Sequence, residues 1–213
     1  MGKREAMERV VLRGDVGAAL EAFDGAVGFA ARRHALDRLE RTLRHADPGS
    51  VPVAMLDRLQ SAGVGSDALA FANAEVPPHA VHVAFVEGGG EGFCRLMHLA
   101  HDLTGREPDL LESDARLAVE DAVSLAASHG GRLHEGGYRL LPYAPRAFEG
   151  AKVEGRSLAA AAFVSAASRF SGRPVKRGTV VSGALAAGAL TSVGELPAKV
   201  RAAARRSDLR RLV

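Results

Sequence analysis

At 213 residues, 47% hydrophobic and 25% charged, the chain has the make-up of an ordinary soluble globular protein with a real core in one or two domains. No apolar stretch free of charges is long enough to cross a bilayer, and Met1 to Glu8 lacks a signal-peptide apolar core, so no membrane contact is expected and the cytoplasm is the expected location. The net charge of +3 is a mild bias, and the single Cys94 excludes an internal disulfide framework or a thiolate metal cluster, reading best as a small buried apolar group.

Residues 1–76 read as a small all-helical module with no chemistry of its own. Val16, Leu20, Phe23 and Val27 recur at helical spacing, as do Leu36, Leu39 and Leu43, with Arg and Glu between them. Asp15 is placed to cap the first helix, and Gly25 and Gly28 to break the long segment in two. Asp47-Pro48-Gly49-Ser50 ends it, Ser50 with Pro52 opens the next helix, Gly63 and Gly65 close that one, and Ser66 is expected to cap a last short helix.

Val76-Pro77-Pro78 divides the chain, and the pattern changes after it. His79 to Val86 alternates, with Val81, Val83 and Phe85 on one face, as a strand does. Glu87-Gly88-Gly89-Gly90-Glu91-Gly92 reads as a hairpin loop; without Gly-Lys-Ser/Thr it is no phosphate loop. Phe93 to Leu99 is a returning strand or a short helix. His98 and His101 lack a third ligand nearby, which argues against zinc. Leu111 to Ser128 is an amphipathic helix carrying Leu117, Val119, Val123 and Leu125, stopped at Gly130-Gly131, and Tyr138 to Leu141 is a short strand.

Two residues then stand out. The chain avoids lysine, with 24 Arg against Lys3, Lys152, Lys176 and Lys199. Lys199 ends Gly194-Glu195-Leu196-Pro197-Ala198-Lys199, and Ser157 follows Val153-Glu154-Gly155-Arg156 at the head of an alanine-rich run. Taken alone, they read best as a helix-capping serine and a solvated first-turn lysine. Together they have the composition of a nucleophile–base dyad.

The flanking landmarks favour the dyad. From about Glu154 to Ala204 the chain resembles the proteolytic domain of the Lon family. Glu154-Gly155-Arg156-Ser157 matches that family's (Asp/Glu)-Gly-X-Ser turn, Gly172-Arg173-Pro174-Val175 its Gly-X-Pro-Val, and Ser182-Gly183 its Thr-Gly step. Gly194 to Lys199 matches the Gly-Gly-Leu-Lys-X-Lys segment, Lys199 falling on the catalytic lysine. One deleted residue is needed between Gly183 and Gly194, and the match before Glu154 is by element order only. The resemblance implies an α/β (α+β) fold of the Lon proteolytic type over residues 77–213, without the family's last strand and helix, preceded by the helical module 1–76. It implies catalysis by Ser157 and Lys199, with Glu154, Gly155, Ser182 and Gly194 in support, and a homo-oligomer.

The chemistry has definite requirements. Lysine acts as a base only when neutral, so its pKa must fall from about 10.4 by several units. Pro197 suits the first turn of a helix and places Lys199 near its positive end, while Leu190, Val193, Leu196 and Val200 are expected to desolvate the amine. Free amides at the Ser157 helix start suit a developing oxyanion, and Ser182 has the hydroxyl to replace the family threonine that bonds the lysine. The departures lie close by. The stretch between Pro142 and Ser157 is longer than usual, Arg156 and Leu158 flank the serine, the acid after Ser182-Gly183 is Ala184, and Glu195 stands for a glycine. A carboxylate there raises the lysine pKa if it points inward. These changes imply altered specificity or a retained fold with reduced activity.

No ATPase motif is present, so the resemblance implies an ATPase or adaptor in trans, recruited by the helical module, or already unfolded substrates. No cofactor is expected. The expected function is a serine endopeptidase acting on polypeptides through a Ser157–Lys199 dyad. The alternative is a non-catalytic Lon-fold scaffold working with an ATPase or nucleic acid through the basic tail Arg201, Arg205, Arg206, Arg210 and Arg211. With aromatics at 5% there is no stacking platform, and a solvated arginine face is the simpler reading, which argues against nucleic acid.

Overall fold

A computed structural model describes residues 15–48, 50–87, 90–101, 110–129, 137–143, 152–206 and 208–213. The chain is a mixed α/β protein whose two compact units part between Val76 and Pro77.

The first unit holds α1 (Val16–Asp24), α2 (Phe29–His45), α3 (Val53–Ser61) and α4 (Ser66–Ala72). Asp15 Oδ1 accepts the amide of Ala18 at 3.0 Å, satisfying one of the donors that a helix start leaves open. Residues 25–28 interrupt the helical run, as the two glycines require. Leu20, Leu39, Leu43 and Leu59 are fully buried together, and Leu36 packs against them. Ser66 does not cap α4: it is the first helical residue, the cap position is Gly65, and the Gly65 amide is taken instead by Glu40 Oε1 at 2.9 Å. An acid on α2 thus ties down the cap residue's own amide, and no side chain caps α4 from within.

The second unit is built on a five-stranded sheet in the order β3-β2-β1-β4-β7. Its strands are β1 (Val81–Val86), β2 (Gly92–His101), β3 (Tyr138–Pro142), β4 (Thr179–Val181) and β7 (Arg211–Leu212), while β5 (Ala184–Ala186) and β6 (Ala189–Thr191) form a separate hairpin. β1, β2 and β3 run antiparallel; β4 lies parallel to β1 and β7 parallel to β4. Phe93 to Leu99 is therefore strand, not helix. The C-terminal tail is not simply a solvated basic segment, because Arg211 and Leu212 pair with Thr179 and Val180.

The helices are α5 (Ser113–Ser128), α6 (Ala159–Ser171) and α7 (Leu196–Ala204). α6 packs against α5, β1 and β2, and its Ser165 hydroxyl accepts the Leu99 amide at 3.2 Å. α7 covers the face that carries Ala84, Cys94 and Val180, to which it adds Ala202. The residues of α5 that are buried are Ala115, Ala118, Val119, Ala122, Val123 and Ala126, whereas Leu117 is 56% exposed. Val119 and Val123 are buried and Leu125 half-buried as expected, and Leu117 alone falls on the solvent side. α5 packs against α6, both faces carry buried alanines (Ala159 to Ala162 on α6), and small side chains permit a closer helix pair than leucine does. No helix of the described residues is long and apolar enough to cross a membrane.

Candidate active site

Ser157 is positioned from α5. Val153 forms an isolated bridge with Leu111, and its carbonyl accepts the Glu112 amide at 2.9 Å. The chain then turns at Gly155, whose φ of 84° is left-handed territory that glycine enters without steric cost. The Gly155 amide donates to Asp114 Oδ2 at 3.1 Å, and Arg156 lies 3.7 Å from Asp121. A single 3₁₀ turn, Arg156–Leu158, follows and runs into α6, with Leu158 fully buried as its anchor. Ser157 is half-buried in this turn. Among the described residues no acceptor takes the Ser157 amide, as expected where a helix begins. Glu154 is exposed.

The turn is fastened to the end of β4. Gly183 donates to the Ser157 carbonyl at 3.1 Å, and Ala160 donates to the Gly183 carbonyl at 3.0 Å. Just before it, Ser182 extends the β4–β7 ladder, its amide donating to the Val213 carbonyl at 2.9 Å. Side chains alternate along a strand, so Ser182 falls on the side of Val180, the side that α7 covers. Ser182 is only 8% exposed, and its hydroxyl is buried with no hydrogen-bond partner among the described residues. A buried, unsatisfied hydroxyl costs about 1–3 kcal/mol, which makes it a group waiting for a partner.

Lys199 comes from the opposite side. It is 6% exposed, on the buried face of α7 between Ala198 and Ala202. Pro197 stands in the first turn, as expected, so Lys199 lies at the positive end of the helix. Burial pushes its amine below the usual lysine value, and Glu195 acts the other way. The agents of that burial differ from the expected ones. Leu190, Leu196 and Val200 are exposed, and the amine is desolvated by the seating of α7 on the sheet at Gly92.

Glu195 takes the glycine conformation itself. Its φ of 57° and ψ of 28° are left-handed, at a cost of about 1–2 kcal/mol for a residue with a Cβ. Its carbonyl accepts the amides of Ala198 and Lys199 at 3.0 and 3.2 Å. Gly194, the expected supporting glycine, is exposed, its φ is not left-handed, and an added Cβ meets nothing within 4 Å.

Gly183, at the end of β4, thus ties the Ser157 turn to the residue after Ser182, while Lys199 stands on α7, which packs on β1 and β2. No hydrogen bond joins the Ser157 hydroxyl to the Lys199 amine, and neither side chain is bonded to another group among the described residues. Asp114 and Asp121 were missed in the sequence: an acid in the first turn of a helix, like Asp114, or on its exposed side, like Asp121, is common, and nothing local ties either to the distant Gly155–Arg156 turn. His98 and His101, three apart on β2, fall on opposite faces, and the described residues contain no group of three metal-ligating side chains. No family model matches the chain, and no curated protein matches it in sequence.

Proposed function

We propose that the protein is a Lon-like serine endopeptidase without its own ATPase, using Ser157 as nucleophile and Lys199 as base. The observation that carries this reading is the burial of Lys199 in a helix's first turn, with the unpartnered Ser182 hydroxyl on the side of the sheet which that helix covers. A neutral amine takes the Ser157 proton as Oγ attacks the scissile carbonyl, and the Ser157 amide at the helix start receives the oxyanion. The ammonium then protonates the leaving amine as the C–N bond breaks, leaving an acyl-enzyme. Water attacks that ester, Lys199 takes its proton, and the proton returns to Ser157 Oγ as the acid departs. Ser182 is the unpartnered hydroxyl available to hydrogen-bond the lysine during the reaction. A homo-oligomer, unfolded polypeptide substrates and an ATPase or adaptor acting in trans, through the helical unit, complete the proposal; all of these rest on the resemblance.

The second reading, a non-catalytic Lon-fold scaffold, is favoured by one observation: no hydrogen bond links Ser157 to Lys199. Intact-mass analysis of an unfolded casein-like substrate incubated with wild type, Ser157→Ala and Lys199→Ala separates the two. Cleavage by wild type, abolished by either substitution, supports the peptidase. Cleavage that survives both substitutions, or none by the wild type in the presence of its cellular partners, overturns it.

A further inference from the structure

The fold divides the C-terminal arginines into two sets. Arg205 meets Glu91 at 3.3 Å, and Arg206 holds Asp208 through contacts of 3.0 and 2.6 Å. Arg210 and Arg211 instead join the segment that enters β4. Both of their amides donate to the Gly178 carbonyl, at 2.8 and 3.1 Å, and Arg211 pairs with Thr179. A Cβ at Gly178 would lie 3.6 Å from Arg210 Cγ, so the arginine stem passes beside the glycine. Lys176 and Arg177 stand immediately before it. Lys176, Arg177, Arg210 and Arg211 are all exposed, and among the described residues none of their side chains has an ion pair or hydrogen bond. Asp208 is the one acid in residues 172–178 and 208–213, and Arg206 already occupies it.

These cations flank an open strand. β7 ends the sheet and, among the described residues, pairs with β4 alone. The amides of Arg211 and Val213 donate to the carbonyls of Gly178 and Val180 at 3.1 and 2.9 Å. Strand geometry therefore turns the N–H and C=O of Leu212, between them, toward the open edge. The Leu212 side chain packs against the cluster of Ala84, Cys94, Val180 and Ala202, which anchors the strand.

We infer that the β7 edge is a docking site for an extended acidic segment of a partner polypeptide. The segment adds to the sheet beside Leu212 and lays its carboxylates against Lys176, Arg177, Arg210 and Arg211. Backbone pairing provides attachment and the cations provide selection. The same charges discourage a second copy of this edge from pairing with the first. Nucleic acid fits less well, because residues 172–178 and 208–213 contain no aromatic ring on which a base could stack. Docking here does not require the Ser157–Lys199 dyad: the cations cluster at the start of β4, and the Ser157 turn is held at its far end by Gly183.

The test is fluorescence anisotropy of the full chain with a dye-labelled peptide of alternating Glu and Val. Saturable binding is expected, weakened about fivefold or more by Lys176→Ala with Arg177→Ala and equally by Arg210→Ala with Arg211→Ala. Two further peptides carry N-methyl groups on alternate residues, one in each phase. A strand pairs through every second amide, so one phase should lose binding and the other keep it. Equal behaviour of the two phases leaves only attraction between charges and overturns strand addition. A single-stranded oligonucleotide of equal charge that binds more tightly than the peptide overturns the choice of partner. Absence of peptide binding even at low salt shows a merely solvated arginine face and overturns the site.

Discussion

Gly92 runs so close beneath Ala198 that a methyl group at Gly92 would strike the Ala198 carbonyl oxygen. The same methyl would come within 3.0 Å of the Ala202 Cβ. A backbone carbonyl inside a helix cannot step aside alone, so α7 has to move as a body. Gly92→Ala is therefore expected to cost about 1–3 kcal/mol by urea denaturation. It should also lift α7 enough to raise the reactivity of Lys199 toward an amine reagent, measured by mass spectrometry. Unaltered stability would mean that the seating of α7 on β2 is looser than described.

Gly183→Ala offers a contrast. The added methyl there meets the end of the exposed Leu190 side chain and, at 3.1 Å, the Ala160 Cβ. Leu190 is free to swing away, so the cost should be about 1 kcal/mol and should shrink in the Leu190→Ala background. A double-mutant cycle checks this, and strict additivity would contradict it.

Asp114 holds the Gly155 amide from another helix. Asp114→Ala should remove about 1 kcal/mol of stability and loosen the Ser157 turn, lowering cleavage of an unfolded substrate more than it lowers stability. Asp114→Asn keeps an oxygen in place to accept the amide and should restore most of both. Failure of asparagine to rescue would show that the charge, not the hydrogen bond, matters.

Lys199 gives a stability curve with a definite sign. Its folded pKa lies below the unfolded value of 10.5, so the unfolded chain binds more protons in between. Stability should therefore rise with pH across the window that ends at 10.5. Lys199→Met lacks this term, so any advantage it has near neutrality should shrink as pH climbs through that window. Parallel urea titrations test it, and parallel curves at all pH values would contradict the burial of a neutral amine.

His79 gives a similar window at lower pH. Burial first, and then the Arg169 guanidinium, hold its pKa below 6.5. The folded chain thus favours the neutral ring, and this contribution is present above 6.5 and is lost as pH falls below it. His98 stands beside it at 6.4 Å, edge to face. His79→Gln should flatten the acid limb of the stability curve below pH 6.5, as followed by thermal melting.

Much of the local structure was legible because it follows from single spacings. The alternation of Val81, Val83 and Phe85 gave β1, the glycines at 25 and 28 the break between α1 and α2, and Pro197 the first turn of α7. What escaped depends on distance in space. Periodicity weights bulky side chains, so Leu117 drew the eye while the closely packed face of α5 is mostly alanine. The exposure of Leu196 and Val200 was hidden for a related reason: the apolar side of α7 that is buried is again alanine, flanking Lys199. Asp114 and Gly155 are 41 positions apart, and only the fold brings them together. A strand as short as Arg211–Leu212 has no period to read.

The pairing of β1 with β4 also has a consequence in time. Val180 lies 98 positions after His82, and its strand must close that loop before Ser182 and Gly183 have a place to stand. Loop closure of this length comes with an entropic cost that is met before any contact rewards it, so parallel pairing of distant strands is a slow event. The serine turn and the lysine helix both converge on this late strand. The Ser157 turn, which Gly183 holds, is therefore fixed only after the rest of the sheet exists, and a chain still being made does not yet have it in place.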